Sequence, residues 1–117
     1  MFCRARPDVE RFMGCSPDDD PEAYALTNPM ALLPLGCRQL LVTGDNDVNV
    51  PAELTRKYAE AAERAGDPTV LLEIPTAECA PVPDHFAVIT PTHRIWERIA
   101  LAMAELLPAV DEKRARM

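Results

Sequence analysis

The spacing of apolar and polar positions changes several times along the chain, and each change marks an element. Leu40, Leu41 and Val42 are apolar in succession, so Gln39 to Val42 is expected to form a short strand with nothing polar on either face after Gln39. That is the pattern of a parallel strand covered by helices on both sides. From Pro51 to Ala65 the spacing becomes helical: Leu54, Tyr58, Ala61, Ala62 and Ala65 share one face, while Glu53 with Lys57 and Glu60 with Arg64 stand four apart on the other. Gly66 closes this helix and Asp67-Pro68 turns the chain into a second strand, Val70 to Ile74. A strand, helix, strand unit is therefore expected, with a right-handed crossover.

Thr76 to Pro83, interrupted by Pro81 and Pro83, reads as a loop that delivers Asp84-His85-Phe86. A final helix is expected from a cap at Thr90 or Thr92 to about Leu107, burying Ile95, Trp96, Ile99, Met103, Leu106 and Leu107. Upstream, Pro7, Pro17, Pro21, Pro29 and Pro34 prevent anything long. Asp8 to Met13 can form a short helix closed at Gly14. Asp18-Asp19-Asp20-Pro21-Glu22 caps a second that runs through Tyr24 and Leu26, and Asn28-Pro29-Met30 starts another turn. The expectation is a single α/β domain: a helical, irregular arm over 1–36, a strand, helix, strand, loop, helix core over 37–107, and a charged, frayed tail over 108–117.

Charge and composition narrow the function classes. Twelve Lys and Arg against nineteen Asp and Glu give a net charge of −7, the wrong sign for a phosphate backbone, so nucleic-acid binding is not expected. No run approaches the roughly 18 to 20 apolar residues of a membrane span, and Met1 to Arg6 has no apolar stretch behind it to make a signal peptide. No membrane association is expected, and the compartment expected is the cytoplasm. Cys3, Cys15, Cys37 and Cys79 contain no Cys-x-x-Cys and have no histidine at zinc-ligand offsets, which favours reduced thiols over a metal or disulfide role. No cofactor is implied.

Candidate chemistry centres on Asp47 and His85. An apolar run that ends in Gly44 and then offers Asp47 is how a parallel strand brings a carboxylate to the carboxyl edge of a sheet. A histidine placed after the next strand can meet it there. Each residue also has a plainer reading, Asp47 as a turn residue capping the following helix and His85 as a surface-loop histidine. Asp45-Asn46-Asp47 imitates a calcium loop, but position six is Val50 and position twelve is Arg56. Ser16, in Gly14-Cys15-Ser16-Pro17, fails as a nucleophile because Pro17 has no N–H for an oxyanion, and it reads instead as a turn or capping residue. His93 is expected to face solvent and Trp96 to sit in the core.

Taken in order, Leu40-Leu41-Val42-Thr43-Gly44, the Gly44-x-x-Asp47-x-x-Val50-Pro51 turn, the alanine-rich helix ending Ala65-Gly66-Asp67, the strand Val70 to Ile74, and Asp84-His85-Phe86 with Pro91 and Trp96 form a recognisable series. Gly14-Cys15-Ser16-Pro17, Pro21-Glu22-x-Tyr24 and Asn28-Pro29 extend it upstream. The series resembles the C-terminal half of the α/β-hydrolase superfamily, especially its small esterase, lipase-like and arylformamidase-like members. The resemblance implies a partial α/β-hydrolase fold in which Asp47 is the triad acid and His85 the general base, in the superfamily's chain order of serine, acid, histidine. It also implies a small carboxylic ester or amide as substrate. The 117 residues contain no Gly-x-Ser-x-Gly, so the expectation is a fragment that is inactive until an N-terminal half completes it. The alternative is a non-catalytic remnant or interaction module that pairs through an exposed sheet edge, as a homodimer or with a partner chain.

Overall fold

A computed structural model of the chain describes residues 7–107. Cys3, the basic stretch 1–6 and the tail 108–117 lie outside the described residues. The described chain falls into two units, divided between Leu33 and Pro34.

The first unit holds two short helices, α1 (Pro7–Met13) and α2 (Pro21–Thr27), and a 3-10 turn (Pro29–Leu32). The acidic run before α2 does what capping chemistry asks: the Asp20 carboxylate accepts the Ala23 N–H at 3.1 Å. Ser16 shapes the turn before it, its hydroxyl accepting the Asp19 N–H at 3.2 Å. The Tyr24 hydroxyl donates to the Cys15 carbonyl at 2.6 Å, and the three elements contain no buried residue.

The second unit is mixed α/β. Strand β1 (Gln39–Gly44) pairs in parallel with β2 (Thr69–Ile74) across α3 (Ala52–Arg64), in register from Gln39 opposite Thr69 to Gly44 opposite Ile74. Two four-residue helices, α4 (Thr76–Cys79) and α5 (Asp84–Ala87), lead to α6 (Trp96–Leu106). Strand alternation places Val42, Leu72 and Ile74 on one face, where they meet Ile95, Ile99 and the half-buried Trp96 around α6. The opposite face carries Gln39 and Glu73, which bond to Tyr58 and Arg56 of α3. The sheet is thus covered by one helix on each side, and the Arg38 guanidinium closes the end of α6 by donating to the Leu106 carbonyl at 2.8 Å.

Five expectations are corrected. The buried face of α3 is made of Ala52, Ala59 and Ala62, and Leu54 is exposed at its margin. Small residues let the helix lie close to the sheet, a preference that hydrophobicity alone does not reveal. Thr76 to Pro83 is not a plain loop, because its first four residues wind as α4. Helix α6 begins at Trp96, several residues later than a cap at Thr90 or Thr92 would place it: the Thr90 hydroxyl donates back to the Phe86 carbonyl, and the chain from Thr92 to Ile95 forms turns. Of its expected stripe, Met103 and Leu107 are exposed, leaving Ile95 and Ile99 as the deep contacts. Finally, His93 does not face solvent: Nε2 lies 2.7 Å from the Cys79 carbonyl and Nδ1 accepts the Ile95 N–H at 3.2 Å.

Of the described cysteines, all are free; Cys37 is exposed, Cys15 half-buried and Cys79 wholly buried. Burial, with the nearby carboxylates of Asp84, Asp45 and Glu78, pushes the Cys79 thiol above its ordinary pKa.

Candidate active site

Both strands end at the same edge of the sheet, and the segments after them build the site. After β1 the chain turns through residues 45–51 before α3 begins. Asp47 shapes this turn with one oxygen: Oδ1 accepts the N–H groups of Asn49 at 2.8 Å and Val50 at 2.9 Å. Its other oxygen, Oδ2, lies 2.9 Å from Nδ1 of His85, the second residue of α5. The turn reading of Asp47 and the pairing with His85 are therefore compatible, one for each oxygen. Pro51, which precedes α3, makes no side-chain cap.

The Asp47 side chain is 6% exposed and that of His85 36%. Burial pushes the Asp47 pKa up, but the bonds from Val50, His85 and Asn49, with the charge available on His85, outweigh it and hold the carboxyl below its ordinary value. An ionised carboxylate only accepts, so in the neutral imidazole Nδ1 carries the hydrogen and Nε2 presents a lone pair. Among the described residues Nε2 has no bonded partner. The ring meets Phe86 edge-on, with centroids 5.4 Å apart and planes at 86°. An open cleft of about 350 Å³ runs beside the ring between Val48 and Phe86, with Asn46 and Asn49 on its walls.

Since the folded Asp47 carboxyl titrates below its unfolded value of about 3.9, its contribution to stability is present above that value and is lost as pH falls through the folded one. Thermal unfolding followed from about pH 6 to about pH 3 is expected to show a steeper acid loss in the wild type than in Asp47→Asn. Identical slopes would exclude this role.

Three residues around the pair have roles that the sequence does not assign to them. Asp84, 5% exposed, accepts with Oδ2 from the Asn46 N–H at 2.9 Å, and the same oxygen lies 2.8 Å from the Thr76 hydroxyl. The one hydroxyl hydrogen of Thr76 is shared between that oxygen and Oδ1 of Asp45, 2.6 Å away, which also accepts the Thr76 N–H at 3.0 Å. These Thr76 bonds hold the Asp45 carboxyl below its ordinary pKa. Gly44 is the third: a Cβ there would collide with Cβ of Asp84. The available signals were a glycine at a strand end and an acid directly before the histidine. Among the described residues no group of three or more histidine, cysteine or acidic side chains is placed to hold a metal.

No helix among the described residues is long and apolar enough to cross a membrane. Comparison with known proteins found no family model, no curated protein and no solved structure that matches the chain.

Proposed function

We propose that this chain supplies the acid and the general base of a serine hydrolase of the α/β-hydrolase type, acting on small carboxylic esters or amides. The observation that carries the reading is the 2.9 Å contact between Asp47 Oδ2 and His85 Nδ1 at the carboxyl edge of two parallel strands. In this reading Nε2 takes the proton of a serine hydroxyl as the hydroxyl attacks the substrate carbonyl. Asp47 holds the ring in the required tautomer and stabilises the imidazolium that forms, and His85 then protonates the leaving group. The serine comes from a Gly-x-Ser-x-Gly on another polypeptide segment, and the 117 residues alone do not turn over an ester.

The test is labelling by a fluorophosphonate probe, applied to the chain alone and to the chain mixed with the product of the adjacent open reading frame. The expected result is no labelling alone, and labelling with ester turnover in the mixture that is lost in His85→Ala. No labelling and no turnover in either sample rejects the reading.

A second reading has its own observation. Among the described residues each strand is paired on one side only, and Leu40, Leu41 and Val42 of β1 are half-exposed despite a helix on each face. The Gln39 N–H bonds to Pro68 and the Asp45 N–H to Ile74, so the alternate residues Leu40 and Val42 turn their backbone groups to the unpaired edge. An edge without a charged residue invites a further strand from a second copy or a partner chain. A monomer by light scattering, with no associated chain, counts against this reading.

A further inference from the structure

We infer that Asp84 is a positioning residue, a clamp that sets the distance between Asp47 and His85. The inference rests on the reading of these two residues as an acid and base pair. Asp84 directly precedes His85, and Asn46, whose N–H it accepts at 2.9 Å, directly precedes Asp47. One carboxylate therefore ties together the two backbone segments that carry the pair, each at the neighbouring residue. The Thr76 hydroxyl, whose one hydrogen is shared with Asp45, lies 2.8 Å from the same oxygen and extends the tie to the segment after β2.

Three further facts make this a clamp and not a chance contact. Asp84 is 5% exposed, so its bonds are made where water competes poorly. The backbone at Gly44 approaches so closely that a methyl group there would collide with Cβ, Cγ and Oδ2 of Asp84. The Asp45 N–H, in turn, is held by the Ile74 carbonyl at 2.9 Å, which anchors the start of the turn to the end of β2. Without the clamp, α5 is tied to the turn through the half-buried His85 ring, and α5 is too short to hold a fixed attitude by itself. The Asp84 carboxylate touches no reacting atom in this arrangement; its effect passes through His85.

The experiment reads the imidazole directly by nuclear magnetic resonance of ring-labelled histidine, following the Nδ1 proton of His85 and its exchange with water. In Asp84→Ala the Nδ1 proton signal is expected to disappear while the amide spectrum stays dispersed. In Asp84→Asn, whose amide oxygen can accept the same two donors, the signal is expected to remain. If Asp84→Ala does not fold, Thr76→Val decides: losing one brace should speed exchange of the Nδ1 proton about fivefold. A folded Asp84→Ala with a wild-type signal overturns the inference. So does an Asp84→Asn variant as perturbed as Asp84→Ala, or wild-type exchange in Thr76→Val. A wild-type ring lacking a bonded Nδ1 proton would instead sink the acid and base reading itself, which separates the two failures.

Discussion

Replacing Asp67 by alanine is expected to lower the unfolding free energy by about 3 kcal/mol, because one buried carboxylate gathers the approach to β1. Asp67 is 3% exposed and accepts three bonds, from the Leu35 N–H at 2.7 Å, the Gly36 N–H at 3.0 Å and the Gln39 side-chain amide at 2.9 Å. Gln39 is in turn bonded by the Tyr58 hydroxyl of α3 at 2.7 Å, so the network joins the segment before β1, the strand itself and the crossover helix. Truncation leaves three donors without their acceptor. The two backbone donors lie near the surface and water recovers part of the loss, which keeps the figure near about 3 kcal/mol. An asparagine side chain at this position accepts at one oxygen only and points an NH2 at a donor, so stability should order wild type, Asp67→Asn, Asp67→Ala. Urea unfolding at constant m-value measures it, and an alanine variant within about 0.5 kcal/mol of wild type contradicts the argument.

Gly44→Ala should cost a similar amount, about 3 kcal/mol, for a different reason. The backbone of Gly44 is outside the left-handed region, so no conformational penalty is involved. The cost is collision: the added methyl would overlap Cβ of Asp84 and lie 2.5 Å from its Oδ2 and 2.6 Å from its Cγ. None of these atoms is the far end of a long side chain, so β1 and α5 must move apart. That movement separates Asp47 from His85 as well, and the variant is expected to lose the bonded Nδ1 proton together with its stability. Chemical denaturation and the ring spectrum can be recorded on the same sample. A variant with wild-type stability and a wild-type ring would show that the close approach does not matter.

The physical origin of each feature decides whether it could be read in advance. The two strands and α3 were legible because apolar runs, i, i+4 ion pairs and a Gly66 stop are local signals, and Gly66 indeed carries the positive φ of 102° that such a stop uses. Asp47 and His85 were legible because strand ends and chain order bring them to one edge. The buried face of α3 was not, since Ala52, Ala59 and Ala62 are buried for their small size while Leu54 has the stronger apolar signal. Helix α4 was hidden because it is four residues long, has no side-chain cap and precedes two prolines. The roles of Asp84, Thr76 and His93 depend on partners 8 to 38 residues away, and no periodicity encodes such bonds.

The contrast between Cys37 and Cys79 gives the molecule two built-in clocks. Cys37 is open to solvent, so a thiol reagent should modify it at the rate of a free thiol. Cys79 is sealed beneath the core beside Ile74 and Ala87, and it becomes reactive only when that core opens. The ratio of the two rates in one native sample therefore reports the opening free energy of the scaffold under the Asp47 and His85 pair, without denaturant and without any knowledge of a substrate.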